Sequence, residues 1–140
     1  MPCLEVTMPA VSLTVKTDIA KKLSEAFAGA TGHDKNIFGI KFNEYNAFEA
    51  SNGGVLWDGQ NGVPYLHFVL YTPRLKRSAK QKFVSAATEA FVTAIEKPDW
   101  QPAIHICEHP YDNVGVGGKL LTDAYEELKK REFYFPLPND

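Results

Sequence analysis

The chain has 140 residues, the size of one compact domain and too short for two ordinary ones. Hydrophobic residues make up 44% and charged residues 23%, which excludes a disordered or collagen-like chain. Fifteen Lys+Arg against seventeen Asp+Glu leave a formal charge of -2, so no global basic field invites nucleic acid. No apolar run approaches the roughly 18 residues of a membrane span. The opening MPCLEVTMPAV lacks the basic start and long apolar core of a signal peptide. Cys3 and Cys107 make no disulfide framework and neither sits in a CxxC; on strands, both read as buried small hydrophobes. The expectation is a cytoplasmic protein with neither nucleic acid nor membrane as partner.

The elements read in chain order as follows. Cys3–Met8 is a strand. Val15, Ile19, Leu23, Ala26, Phe27 and Ala30 then fall on one face at helical spacing. Ile37–Tyr45 is a second strand, followed by a turn containing Gly53 and Gly54. Tyr65–Tyr71, rich in β-branched and aromatic residues, is a third strand. Val84, Ala87, Phe91 and Ile95 mark a second helix, and the Ser78…Gln81 spacing of a capping box places its start just after Ser78. A fourth strand, Ala103–Glu108, leads into a second glycine turn. Asp123–Arg131 reads as a short helix, and Pro136 and Pro138 exclude regular structure at the end.

This order repeats. Ser24-Glu25-Ala26-Phe27 recurs as Thr88-Glu89-Ala90-Phe91, an offset of 64 that also carries Ile40 onto Ile104, Glu44 onto Glu108 and Gly53-Gly54 onto Gly117-Gly118. Pro2-Cys3-Leu4 matches Pro64-Tyr65-Leu66 at an offset of 62, which implies two extra residues ahead of the second helix. The chain is therefore expected to be one domain of two tandem units, about 1–62 and 63–121, with a tail at 122–140. Strand–helix–strand within about 45 residues is a βαβ unit with parallel strands and a right-handed crossover. The fold class is thus α/β, a four-stranded sheet with both helices on one face. Parallel strands are usually buried on both sides, so the bare face calls for another subunit.

Most familiar motifs are missing. Gly115-Val116-Gly117-Gly118-Lys119 resembles a phosphate loop, but Asn113 and Leu120 stand where a glycine and a Ser/Thr are needed. His33, His67, His105 and His109 have no metal-binding spacing. Pro2 is more informative. Removal of Met1 would leave it as a free secondary amine, and an apolar wall or nearby cations would lower its pKa towards neutrality. Such a base suits proton transfer beside a carbonyl, or attack on the carbonyl to form an iminium. Proline at this position can equally be without meaning. Arg74 and Arg77 lie i, i+3 between a strand and a helix, where the first copy has Ala10 and Leu13. Two guanidiniums so placed make a carboxylate clamp, or else part of a solvated run with Lys76 and Lys80.

Taken together, these residues resemble the tautomerase superfamily, the 4-oxalocrotonate tautomerase and macrophage migration inhibitory factor group. The likeness rests on Met1-Pro2-Cys3-Leu4, Ala30-Thr31-Gly32-His33, Arg77-Ser78-Ala79-Lys80-Gln81-Lys82 and Asn113-Val114-Gly115-Val116-Gly117-Gly118. Arg74-Leu75-Lys76-Arg77 is similar to the paired-arginine segment of cis-3-chloroacrylic acid dehalogenase. The resemblance implies a homotrimer with its sheets facing inward and an enzyme needing no cofactor or metal. It makes Pro2 the general base or acid, Arg74 and Arg77 the holders of a small carboxylate-bearing substrate, His33 a second polar contact and His105 a strand-borne site residue.

Two departures count against the dehalogenase activity itself, because its water-activating glutamate falls on Gly115 and its pocket histidine on Phe27. Tyr111 and Asp112 are the nearest replacements. The function expected is keto–enol tautomerisation of a small 2-oxo or unsaturated acid. Hydration, dehalogenation or decarboxylation of a three-carbon acid at the same site is the alternative, Pro73-Arg74 being similar to a pair in malonate semialdehyde decarboxylase. A binding or signalling protein with a vestigial proline is the third reading.

Overall fold

The computed structural model describes residues 2–124. Strand β1 (Cys3–Pro9) is followed by helix α1 (Leu13–Thr31), strand β2 (Gly39–Tyr45) and a small hairpin of β3 (Ser51–Asn52) and β4 (Val55–Leu56). Strand β5 (His67–Pro73), helix α2 (Arg77–Ile95), strand β6 (Ala103–His109) and the hairpin of β7 (Gly115–Val116) and β8 (Lys119–Leu120) repeat that series. Every one of these boundaries in the second series lies 64 residues after its counterpart.

The sheet order is β2-β1-β5-β6. Each copy contributes a parallel pair, and the copies meet antiparallel between β1 and β5. Alternation sends Leu4, Val6 and Met8 of β1, and Phe68 and Leu70 of β5, into a core shared with Ile19, Leu23 and Phe27 of α1 and Phe83, Ala87 and Phe91 of α2. All are fully buried. Phe27 stacks on Phe38 with ring centroids 4.2 Å apart and meets Phe83 edge-on at 6.1 Å. The opposite sheet face carries Cys3, Glu5 and Thr7 beside Tyr71, Val69 and His67, and is uncovered in the isolated chain.

Four expectations change. The constant offset of 64 pairs Pro2 with Leu66, so the match to Pro64 does not mark a strand start. β5 begins two residues later than Tyr65, because Pro64 precedes the ladder and the carbonyl of Tyr65 is taken by the Tyr45 hydroxyl. The Ser78 capping box does not form either. α2 starts at Arg77 with Lys76 as N-cap and no side-chain cap, whereas Ser12 caps α1 by accepting from the Val15 amide at 3.3 Å. Cys3 and Cys107 are exposed, since alternation places them on the face turned from the helices. β2 begins at Gly39 and not at Ile37, because Lys35–Ile37 form a 3-10 turn; the expected glycine turn after β6 is present as a hairpin, with Gly117 and Gly118 at φ +63° and +81°. Of the helix expected at Asp123–Arg131, Leu121–Ala124 form a 3-10 turn and the rest lies outside the described residues.

Both copies share one polar device. Glu44, near the end of β2, accepts from the Val11 amide at 3.1 Å and pairs with Lys16 in the first turn of α1. Glu108 of β6 accepts from the Leu75 amide at 2.7 Å and pairs with Lys80 of α2. Each carboxylate ties a strand end to the segment leading into a helix, where free amides and the helix dipole favour negative charge.

Two predictions follow from these contacts. The Lys16 ammonium, aided by the Val11 amide, holds the Glu44 carboxyl below its usual range against the opposing effect of burial. Its contribution is then complete at neutral pH and is lost as pH falls through that lowered value. Glu44→Gln should lower stability by about 1–2 kcal/mol at pH 7, with the gap closing in acid, as read by denaturant unfolding across pH. Burial pushes the Tyr45 phenol, which donates to the Tyr65 carbonyl, up to about 12. The unfolded phenol ionises near 10, so stability should fall as pH rises beyond that. Ultraviolet titration of the folded protein should show one tyrosine ionising near pH 12, absent in Tyr45→Phe.

Candidate active site

The topology collects most of the sequence candidates at one end of the sheet. β1 begins there and β5 and β6 end there, as the pairing of Cys3 with Tyr71 and of Pro73 with His109 requires. Helix α1 also ends there, and α2 starts there. Pro2 is buried at this end, its carbonyl accepting from the Gly39 amide at 3.2 Å. Arg74 follows β5 directly and is half-buried, while Arg77 is exposed as the first residue of α2. Between them the Leu75 amide is held by Glu108, so the turn carrying both guanidiniums is anchored to β6.

The remaining candidates divide. His33 follows Gly32, the left-handed C-cap of α1 (φ +76°), and its amide donates to Thr31 Oγ1 at 3.3 Å. It is half-buried in the connection that enters β2 at this same end. Tyr111 and Asp112 lie in a 3-10 turn just past β6, with Tyr111 buried and Asp112 exposed. His105 stands apart. It lies mid-strand, opposite Val69, on the uncovered sheet face, and its Nδ1 is 2.6 Å from Nε2 of His67. Pro2 belongs to the other face, in alternation with Leu4, Val6 and Met8. The structure therefore brings Pro2, Arg74, Arg77, His33, Tyr111 and Asp112 to one end and leaves His105 out.

Position 27, where the dehalogenase likeness would require a histidine, is filled by a core phenylalanine stacked on Phe38, so the site has no ionisable group there. Among the described residues, no group of three or more His, Cys, Asp or Glu could hold a metal ion. No described helix is long and apolar enough to cross a membrane. An open groove between α1 and α2, edged by Glu25 and Glu89, contains none of these candidates.

Sequence reasoning passed over three residues. Glu108 was visible as the repeat partner of Glu44, and Lys80 as that of Lys16, but the ion pair joining them emerges only from the fold. Thr72 gave no signal at all. It is a fully buried strand threonine whose hydroxyl has no hydrogen-bond partner among the described residues.

Residues 64–124 match the family model described as tautomerase enzyme. No curated protein matches the chain significantly. Solved structures do. A protein named Pt0534, inactivated by 2-oxo-3-pentynoate, superposes with a TM-score of 0.76 at 15% identity, over 88% of this chain and 98% of that one. A fused 4-OT, an asymmetric trimer, gives 0.74 at 19% identity over 88% and 98%. Malonate semialdehyde decarboxylase, described with a variant in which its first-position proline is alanine and with decarboxylase and hydratase activities, gives 0.69 at 13% over 87% and 98%. Residues 64–124 are thus similar to a tautomerase domain, and the chain as a whole shares the fold of the fused 4-OT proteins.

Proposed function

We propose that the chain is a tautomerase that uses Pro2, freed by loss of Met1, as general base and acid on a small 2-oxo or unsaturated carboxylic acid. The observation that carries this reading is the burial of Pro2 at the sheet end from which Arg74 emerges. A secondary amine in such a place is poor at holding a proton, because burial disfavours its charged form. Arg74, with Arg77, takes the substrate carboxylate and draws developing negative charge towards it. In ketonisation the protonated amine delivers a proton to the carbon beside the carbonyl, while the enol hydroxyl loses one to water. The neutral amine left behind regains a proton from water before the next turnover, and in the reverse direction it takes the proton from that carbon. His33, Tyr111 and Asp112 are the polar groups available to the rest of the substrate.

The assembly proposed is a homotrimer of one-domain chains. The uncovered sheet face, with Val69 at its centre and Tyr71 37% exposed, is then covered by neighbouring copies, as expected for a sheet with parallel pairs. The fused 4-OT protein with this fold is an asymmetric trimer. His105 and His67 would lie within that contact and not in the reaction site. A second reading, hydration or decarboxylation of a three-carbon acid, is favoured by Tyr111 and Asp112, which stand at the same end and could direct a water.

Intact mass should show Met1 removed, and phenylpyruvate should interconvert between enol and keto forms. Pro2→Ala should cost about 10²–10⁴-fold in rate, the usual worth of a positioned acid–base group. Arg74→Ala should lower kcat/KM about 10–100-fold, chiefly through KM, the range expected for a lost charge-assisted hydrogen bond. Full activity in Pro2→Ala would sink the mechanism. Release of aldehyde or halide from 3-oxo or haloacrylate acids, without phenylpyruvate turnover, would select the second reading.

A further inference from the structure

Comparing the two copies isolates one polar atom. At an offset of 64, Thr72 occupies in the second copy the place that Met8 fills in the first, and both are fully buried. The residue across the central antiparallel pair also has its counterpart. Met8 faces the level of Leu66, and Thr72 faces that of Pro2 when the register Cys3–Tyr71 is extended by one residue. The Met8–Leu66 level is thus apolar. At the Pro2 end a hydroxyl stands in the core with no hydrogen-bond partner among the described residues.

The surrounding groups do not satisfy it. Glu108 lies beside Thr72 in the parallel register, but its two oxygens serve the Leu75 amide and Lys80 Nζ. Arg74 is two residues on and Arg77 opens α2, while His109 pairs with Pro73. His33, Asp34 and Lys35 occupy the connection into β2. Among the described residues, Thr72 Oγ1 bonds to none of them. A buried hydroxyl left unpaired costs about 1–3 kcal/mol, which gives the position a reason to be threonine only if a partner arrives. In the unprocessed chain the Pro2 nitrogen is a tertiary amide, with no proton and no basic lone pair. Removing Met1 converts it into an amine that has both.

We propose that Thr72 is a positioning residue for the Pro2 amine, its hydroxyl donating a hydrogen bond to the neutral nitrogen once Met1 is gone. The proposal rests on the reading of Pro2 as the base and adds the group that orients its lone pair. Donation to the neutral form keeps the amine ready to accept a proton, and the hydroxyl's own requirement is met in the same contact. The hydroxyl thus distinguishes the processed chain from the unprocessed one.

The test is a pH titration of the Pro2 nitrogen by ¹⁵N NMR in the processed protein, compared for wild type, Thr72→Val and Thr72→Ser. Valine keeps the shape and removes the hydroxyl; serine keeps the hydroxyl. Thr72→Val should raise the titration midpoint by about half to one pH unit, the worth of one hydrogen bond, and Thr72→Ser should return it towards wild type. The acid limb of kcat/KM should move with it. Thermal unfolding supplies a second readout that needs no substrate. In a chain blocked by an N-terminal extension, Thr72→Val should melt no lower than its parent, whereas in the processed chain it should melt lower. An unmoved midpoint, equal melting responses in the two forms, or retention of Met1 overturns the contact. If Pro2→Ala keeps full activity while Thr72→Val still shifts the amine, the contact stands and the assigned reaction fails.

Discussion

A carboxylate at the end of a strand governs the way each half of this chain enters its helix. Glu44 and Glu108 each accept from the amide just before a helix N-cap and pair with a lysine four residues into that helix's first turn. The contact joins three pieces of chain that hydrophobic packing alone would leave free to slide: strand end, entry segment and helix start. It also explains why α2 needs no side-chain cap, since Lys76 stands where Ser12 caps α1 and helix entry remains tied to the sheet. With both helix starts pinned, the aromatic core of Phe27, Phe83 and Phe91 has a fixed place against β1 and β5.

The same clamp supports two unlike ends. Around the first copy's helix entry stand Met8, Ala10 and Leu13, and β2 closes with Tyr45. Tyr45 meets Trp57 edge-on at 6.3 Å, and Trp57 meets Trp100 at 6.0 Å, with Lys97 over the Trp100 ring. That end is packed shut by aromatic rings. The equivalent positions of the second copy are Thr72, Arg74, Arg77 and His109, and neither tryptophan has an aromatic counterpart there: 64 residues from Trp57 lies Leu121, and from Trp100 lies Asn36. Duplication supplied two equivalent sheet ends. Side-chain chemistry filled one and left the other polar, beside a proline.

The architecture was legible because repetition and helical periodicity are local and redundant. Glu25-Ala26-Phe27 and Glu89-Ala90-Phe91 set the offset, and Val15 to Ala30 traced a buried helix face. What misled was also local. Pro64-Tyr65-Leu66 imitates Pro2-Cys3-Leu4, yet the strand starts at His67. Ser78 and Gln81 have capping-box spacing, yet the helix begins one residue before Ser78. Pro2, Arg74 and Arg77 stood out as chemistry and do share a sheet end. His105 and the cysteines depended on which sheet face each strand residue takes, and that parity is settled by register across β5 and β6. Thr72 was invisible because a threonine in a strand is ordinary until burial leaves its hydroxyl without a partner among the described residues.

The alternation that hides Thr72 also links it to the bare face of the sheet. β5 sends Phe68, Leu70 and Thr72 towards the helices and His67, Val69 and Tyr71 the other way. Tyr71 lies between Cys3 and Cys107 on that face, one peptide before Thr72 and three before Arg74. A copy seated on that face, as the proposed trimer requires, would press on the strand segment that carries the polar end. The strand is too stiff to let Tyr71 shift while Thr72 and Pro73 keep their register with Glu108 and His109. In the proposed trimer, subunit contact and the polar end would thus share one structural element, β5, whose two faces carry Tyr71 and Thr72.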